Sequence, residues 1–83
     1  MDVRGATLKL LAARAPGATI CPSEVARNLA KTVAPDAAGD WREFMPVVHA
    51  AVDALVDAGT VRLSWKGRQM AVRAGPYRIA RND

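Results

Sequence analysis

The chain has 83 residues but only one cysteine, Cys21, and one histidine, His49. A lone cysteine excludes an internal disulfide and a cysteine-based zinc site, and a lone histidine with no cysteine beside it is a poor metal ligand. Aromatic residues are equally scarce: Trp41, Phe44, Trp65 and Tyr77. The core must therefore come mainly from Ala, Val and Leu. No stretch approaches the roughly 20 consecutive apolar residues of a membrane span, and the first residues lack the uncharged apolar run of a signal peptide. The expected setting is reducing and cytoplasmic. Glycines 5, 17, 39, 59, 67 and 75 are dispersed and build no phosphate-cradling loop. No nucleophile spacing stands out either. The expectation is a non-enzymatic protein with no cofactor, no metal, no membrane contact and no small-molecule ligand.

Acidic residues are also missing from one part of the chain. The net charge is +4. Residues 1–60 carry six Lys/Arg against seven Asp/Glu, for −1, whereas residues 61–83 carry six against Asp83 alone, for +5. The positive field belongs to the last quarter. Charge concentrated in this way suggests an anionic partner, although a solvated, solubilising segment has the same composition.

An apolar fraction of 51% argues against disorder, and the length fits one domain, residues 1–83. A first helix is expected over about Val3–Arg14, with Val3, Thr7, Leu8, Leu10 and Leu11 on one face and Pro16 ending it. Thr19-Ile20 suits a short strand. Pro22 suits the first position of a second helix, running to about Ala30, with Glu24 folding back on its free N–H groups. Val25, Ala26 and Leu29 face one way; Arg27 and Lys31 face the other, where a solvated face is the preferred reading. Thr32 to Gly39 reads as a connection. Asp40 and Glu43 resemble a capping box, but Pro46 would clash with the carbonyl of Arg42 in a continuous helix. Two arrangements remain open: a kink, or a short turn at 40–44 followed by a helix with Pro46 in its first turn. The third helix ends at Ala58, with Gly59 as a left-handed cap. Val61, Leu63 and Trp65 then alternate inward against Arg62, Ser64 and Lys66. A turn at Lys66-Gly67-Arg68 leads into a second strand that includes Met70 and Val72. Gly75-Pro76 breaks it, and Tyr77-Arg78-Ile79 offers a short third strand.

This order predicts an α+β fold of the winged helix-turn-helix type: three helices followed by a β-hairpin wing, with room for a short strand after the first helix. Over nearly its whole length the chain also resembles a family of short bacterial proteins of unknown function. The resemblance is carried by Thr19-Ile20-Cys21-Pro22-Ser23-Glu24-Val25-Ala26, Trp41-Arg42 with Met45-Pro46, Lys66-Gly67-Arg68 and Gly75-Pro76. It implies a winged helix but no activity and no functional residues. The stretch Val33 to Gly39 is somewhat long for that family.

In helix-turn-helix proteins the second helix of the motif reads the major groove. The equivalent helix here has an outward face of Arg42, Glu43, His49, Ala50, Asp53, Ala54 and Asp57, whose formal charge is −2 with His49 neutral. Like charge costs affinity for DNA. Arg42 and His49, nearer the N-terminal end, are its candidate contacts. The hairpin is the stronger candidate: Lys66 and Arg68 at the tip, with Arg62 and Arg73 on the strands, suit phosphate or minor-groove contacts. Trp65 reads as core rather than as a base-stacking platform, Trp41 as an anchor packing the third helix on the first or second, and Cys21 as structural. The expected function is DNA binding through backbone contacts of the wing. The alternative is a protein-interaction module, with Ala50 and Ala54 letting the third helix approach a partner or a second copy.

Overall fold

Asp2 starts the first helix by accepting a hydrogen bond from the Gly5 N–H on Oδ1 at 2.8 Å, which satisfies one of the free donors of a helix start. In the computed structural model, which describes residues 1–82, α1 spans Val3–Ala12. It stops two residues before the expected Arg14 because Ala13 already closes the last turn ahead of Pro16-Gly17. Thr7 is fully buried, and its hydroxyl donates to the Val3 carbonyl at 2.9 Å, so its polarity is met within the helix.

α2 spans Pro22–Val33, with Cys21 as N-cap and Pro22 in its first turn. It buries Val25, Ala26, Leu29 and Ala30 and outruns the expected end at Ala30 by three residues. Glu24 does not fold back on the helix start. Its Oε2 accepts from Arg14 Nη2 at 3.0 Å, tying the end of α1 to the beginning of α2. The stretch read as a connection becomes a run of 3-10 turns, Pro35–Phe44, broken at Ala37 and Asp40. Asp40 and Glu43 therefore form no capping box: Asp40 has φ −88° and ψ 28°, and the next helix has no side-chain cap. α3 spans Met45–Asp57 with Pro46 in its first turn. Of the two arrangements open for Pro46, the short turn followed by a helix is the one formed, because a proline in the first turn displaces no hydrogen bond and meets no carbonyl four residues back. Trp41 accordingly belongs to the 3-10 segment rather than to α3.

α3 ends in a Schellman motif. The Gly59 N–H bonds to the Val56 carbonyl at 2.9 Å and the Thr60 N–H to the Leu55 carbonyl at 3.0 Å, with Gly59 at φ +74°. The reversal sends the chain straight into β1, Val61–Trp65. A two-residue turn follows, with Lys66 at φ +51° and Gly67 at φ +80°. Positive φ at both positions is the type I′ geometry that matches strand twist. β2 is short, Arg68–Met70, and β3 spans Arg78–Arg81. The sheet order is β2-β1-β3, both pairings antiparallel. The expected strand at Thr19-Ile20 is reduced to a bridge, in which Ile20 and Ile79 exchange hydrogen bonds of 2.8 and 2.9 Å.

β2 ends at Met70, so Val72 and Arg73 lie beyond it, and Val72 is 71% exposed. Residues 71–77 carry the chain from one edge of β1 to the other before β3 begins. The core gathers Leu11 of α1; Ile20; Val25 and Leu29 of α2; Val48, Val52 and Leu55 of α3; Val61 and Leu63 of β1; and Tyr77 and Ile79. Trp65 is not part of it. It keeps the inward phase of Val61 and Leu63 but sits at the last position of β1, beside the turn, 39% exposed. Three helices followed by a three-stranded antiparallel sheet make an α+β fold whose topology is compatible with a winged helix. Among the described residues, no helix is long and apolar enough to cross a membrane.

Candidate nucleic-acid interface

The basic residues of the hairpin are not one patch. Residues paired across antiparallel strands point to the same face of a sheet. Trp65 pairs with Arg68 and Leu63 with Met70, which places Arg68 on the face that turns toward the helices. Ser64 pairs with Gln69 on one side and Arg78 on the other, and Arg62 pairs with Ala80. Arg62, Ser64, Gln69 and Arg78 therefore share the outer face. Lys66 sits at the turn between the two faces. Arg62, Lys66, Arg68 and Gln69 are exposed.

Arg73, expected on a strand beside these cations, is directed elsewhere. Its Nε donates to Asp53 Oδ1 at 3.0 Å and its Nη2 to Asp53 Oδ2 at 3.1 Å. The shared hydrogen bonds hold the Asp53 carboxyl below its ordinary range and raise the guanidinium. One turn earlier on α3, His49 Nδ1 lies 2.7 Å from the Tyr77 hydroxyl. Burial pushes the Tyr77 phenol up to about 12 and, with Arg73 adding to it, lowers His49. A neutral phenol against a neutral imidazole is satisfied by the O–H donating to Nδ1. Two of the sequence-predicted contacts, His49 and Arg73, thus hold the return segment 71–77 against α3. The outward face of α3 is correspondingly less acidic and less open than the sequence implies.

Arg42 lies on the 3-10 segment. Its guanidinium sits 4.4 Å from the Trp41 ring centroid, and that of Arg27 of α2 sits 4.6 Å from the same ring. Trp41 does serve as an anchor, but it fastens the 3-10 segment on α2, and Arg27 is not simply solvated. Cys21 is half-buried and accepts from the Ser23 hydroxyl at 3.1 Å. Among the described residues no group of three His, Cys, Asp or Glu is placed to hold a metal ion.

The family model for a protein of unknown function, DUF3253, matches residues 1–82. The chain belongs to the DUF3253 family. Among the curated proteins none matches it. Within this DUF3253 chain, the sequence-predicted contacts Arg62, Lys66 and Arg68 remain exposed on the hairpin, with Arg62 on its outer face, Arg68 on the opposite face and Lys66 at the turn between them, while Arg42, His49 and Arg73 are engaged elsewhere. Sequence reasoning missed Tyr77 as a polar partner, and it missed Gln69 and Arg78 as neighbours of Arg62. The period-two alternation held a signal for Gln69 and Arg78, but only the register of three strands brings them together.

Proposed function

We propose that this protein binds nucleic acid through the hairpin, with Arg62, Lys66 and Arg68 contacting phosphates. The observation that carries the reading is an exposed basic tip in a stretch, residues 58–82, that contains no Asp or Glu. Phosphate contacts of this kind supply affinity with little choice of sequence. The geometry of the turn adds support. Lys66 adopts φ +51°, a conformation that Asn, Asp or Gly fills at less cost. A lysine in that conformation fits a role for its charge, because backbone held in sparsely populated regions clusters at functional positions. Exposed Trp65 beside Arg68 adds a flat ring at the same tip.

The test is binding to short duplex DNA across a salt series. Three phosphate contacts require a log–log slope of about −2.7. Wild-type protein that fails to bind even at low salt rejects the proposal.

A second reading is a protein-interaction module using α3. Val47 is 39% and Met1 70% exposed, and they line a groove of about 310 Å³ together with Ala50 and Ala54. Light scattering of the wild type and of Ala54→Arg checks self-association through this face. A dimer lost in the variant supports it; a monomer in both rejects the second copy as partner.

A further inference from the structure

The outer face of the sheet has a composition that the fold does not require. Its central row runs Gln69, Ser64, Arg78 across β2, β1 and β3, and Arg62 stands two residues along β1 from Ser64. Arg62 and Arg78 are thus diagonal neighbours, whose backbone positions lie roughly 7–8 Å apart. Two guanidinium groups so placed repel each other. Among the described residues neither has a carboxylate within ion-pair distance. Every acidic residue before Asp83 lies at or before Asp57, outside the sheet.

Arg78 is also held in place. Its Nε donates to Thr19 Oγ1 at 2.6 Å and its Nη2 to the Thr19 carbonyl at 3.2 Å. Two of five guanidinium N–H donors are used there, and the planar group is fixed at the rim of the sheet without being neutralised. Between this rim and the hairpin lies a shallow groove of about 280 Å³, whose lining includes the polar Thr19, Arg62, Ser64 and Gln69, the apolar Leu63 and small residues such as Gly67 and Ala80.

We propose that this outer face is the bed for a phosphodiester strand of nucleic acid, which lies along the groove with phosphates between Arg62 and Arg78 and against the Ser64 hydroxyl and Gln69 amide. The inference rests on the nucleic-acid reading above and assigns the contact to the sheet face rather than to the hairpin tip alone. Phosphate oxygens accept from arginine, serine and glutamine alike, and that is the donor set present. An acidic peptide fits less well: the lining is mostly polar or small, and Leu63, its one large apolar residue, is only 1% exposed and offers no pocket to anchor an apolar side chain.

The experiment is fluorescence anisotropy with a labelled duplex DNA of mixed sequence, using Ser64→Glu, Gln69→Glu, Arg62→Glu and Arg68→Glu. Arg4→Glu on α1 controls for net charge, and circular dichroism verifies folding. Ser64→Glu and Gln69→Glu lie on different strands, so a folding defect in one leaves the other to decide. A carboxylate placed on the bed is expected to weaken binding at least about tenfold, against less than about threefold for Arg4→Glu, because local phosphate contacts outweigh long-range charge. If Arg68→Glu loses binding but Ser64→Glu and Gln69→Glu keep it, the sheet face is not the bed and the tip reading survives. If wild-type protein binds no DNA at low salt, both fall. If polyglutamate binds instead and Ser64→Glu abolishes that binding, the face takes an acidic polypeptide and nucleic acid is the wrong occupant.

Discussion

Arg73 and Asp53 form a two-pronged ion pair, with bonds of 3.0 and 3.1 Å, between the segment returning from the hairpin and the middle of α3. One helical turn away His49 meets Tyr77 at 2.7 Å. Together the two contacts pin residues 71–77 to a helix face that a groove-reading helix would keep open. The return segment and α3 are therefore expected to behave as one unit, leaving β1, the turn and β2 as the projecting part.

Cutting the ion pair should loosen the segment without unfolding the domain. Asp53→Asn or Arg73→Ala is expected to speed amide hydrogen exchange in residues 71–77 while core amides of α2 and α3 keep their protection. The two side chains are 36% and 48% exposed, so the pair is solvent-screened and its loss should leave the melting temperature nearly unchanged. A drop as large as that of a core truncation would show that the pair holds more than this segment.

The His49–Tyr77 bond is better buried, and Tyr77 is only 3% exposed. Tyr77→Phe leaves Nδ1 without its donor and is expected to cost about 1–2 kcal/mol in urea unfolding. Burial of His49, with Arg73 close by, makes stability depend on pH. Folding lowers the His49 pKa below 6.5, so the unfolded chain binds the proton more readily. The His49 contribution should be level above pH 6.5, fall as the pH drops from there to the folded-state pKa, and level off again below it; Tyr77, raised from 10.0 to about 12, adds a separate loss only above about pH 10. Asp53, lowered from 3.8 by Arg73, adds a loss only near and below pH 4. His49→Gln should flatten the first window and leave the one set by Asp53; an unchanged slope just below pH 6.5 would assign it to other groups.

Stability and affinity should part at the turn. Lys66→Asn relieves a left-handed lysine and creates the Asn-Gly pair that type I′ turns prefer. It is expected to raise stability by about 0.5–1 kcal/mol. By removing one cation from the tip it should also weaken DNA binding and reduce the salt slope by about one. A more stable variant with unchanged affinity and slope would remove Lys66 from the contact set.

Trp65 and Leu63 occupy the same strand and the same phase, yet they should respond differently to truncation. Leu63 is 1% exposed, and Leu63→Ala is expected to cost about 2–5 kcal/mol. Trp65 is 39% exposed, so its truncation leaves no enclosed cavity, and Trp65→Ala should cost less than Leu63→Ala. Equal losses would mean that Trp65 packs more tightly than its exposure implies.

Where local chemistry sets the structure, the sequence was legible. Pro22 starts α2, Pro46 rules out an unkinked helix from Asp40 while leaving a kink or a fresh start open, and Gly59 reverses the chain into β1. Alternation from Val61 to Leu63 marks the strand. Each of these depends on a dihedral preference or a missing N–H within a few residues. Periodicity did not show where a strand outruns its cover: Trp65 has the phase of a core residue but is 39% exposed at the end of β1. Nor did composition show that residues 35–44, rich in small residues and breakers, would coil into 3-10 turns against α2.

The sequence alone determined the order of elements and the segregation of charge, because both are properties of neighbouring residues. Tertiary structure decided which cations act together. The three-strand register put Arg62 with Arg78 on one face and Arg68 with Trp65 on the other. The docking of residues 71–77 on α3 gave Arg73 to Asp53 and His49 to Tyr77. These pairings join residues 20 to 28 positions apart. No local pattern specifies them, because they exist only after hydrophobic burial has brought the helix and the hairpin together.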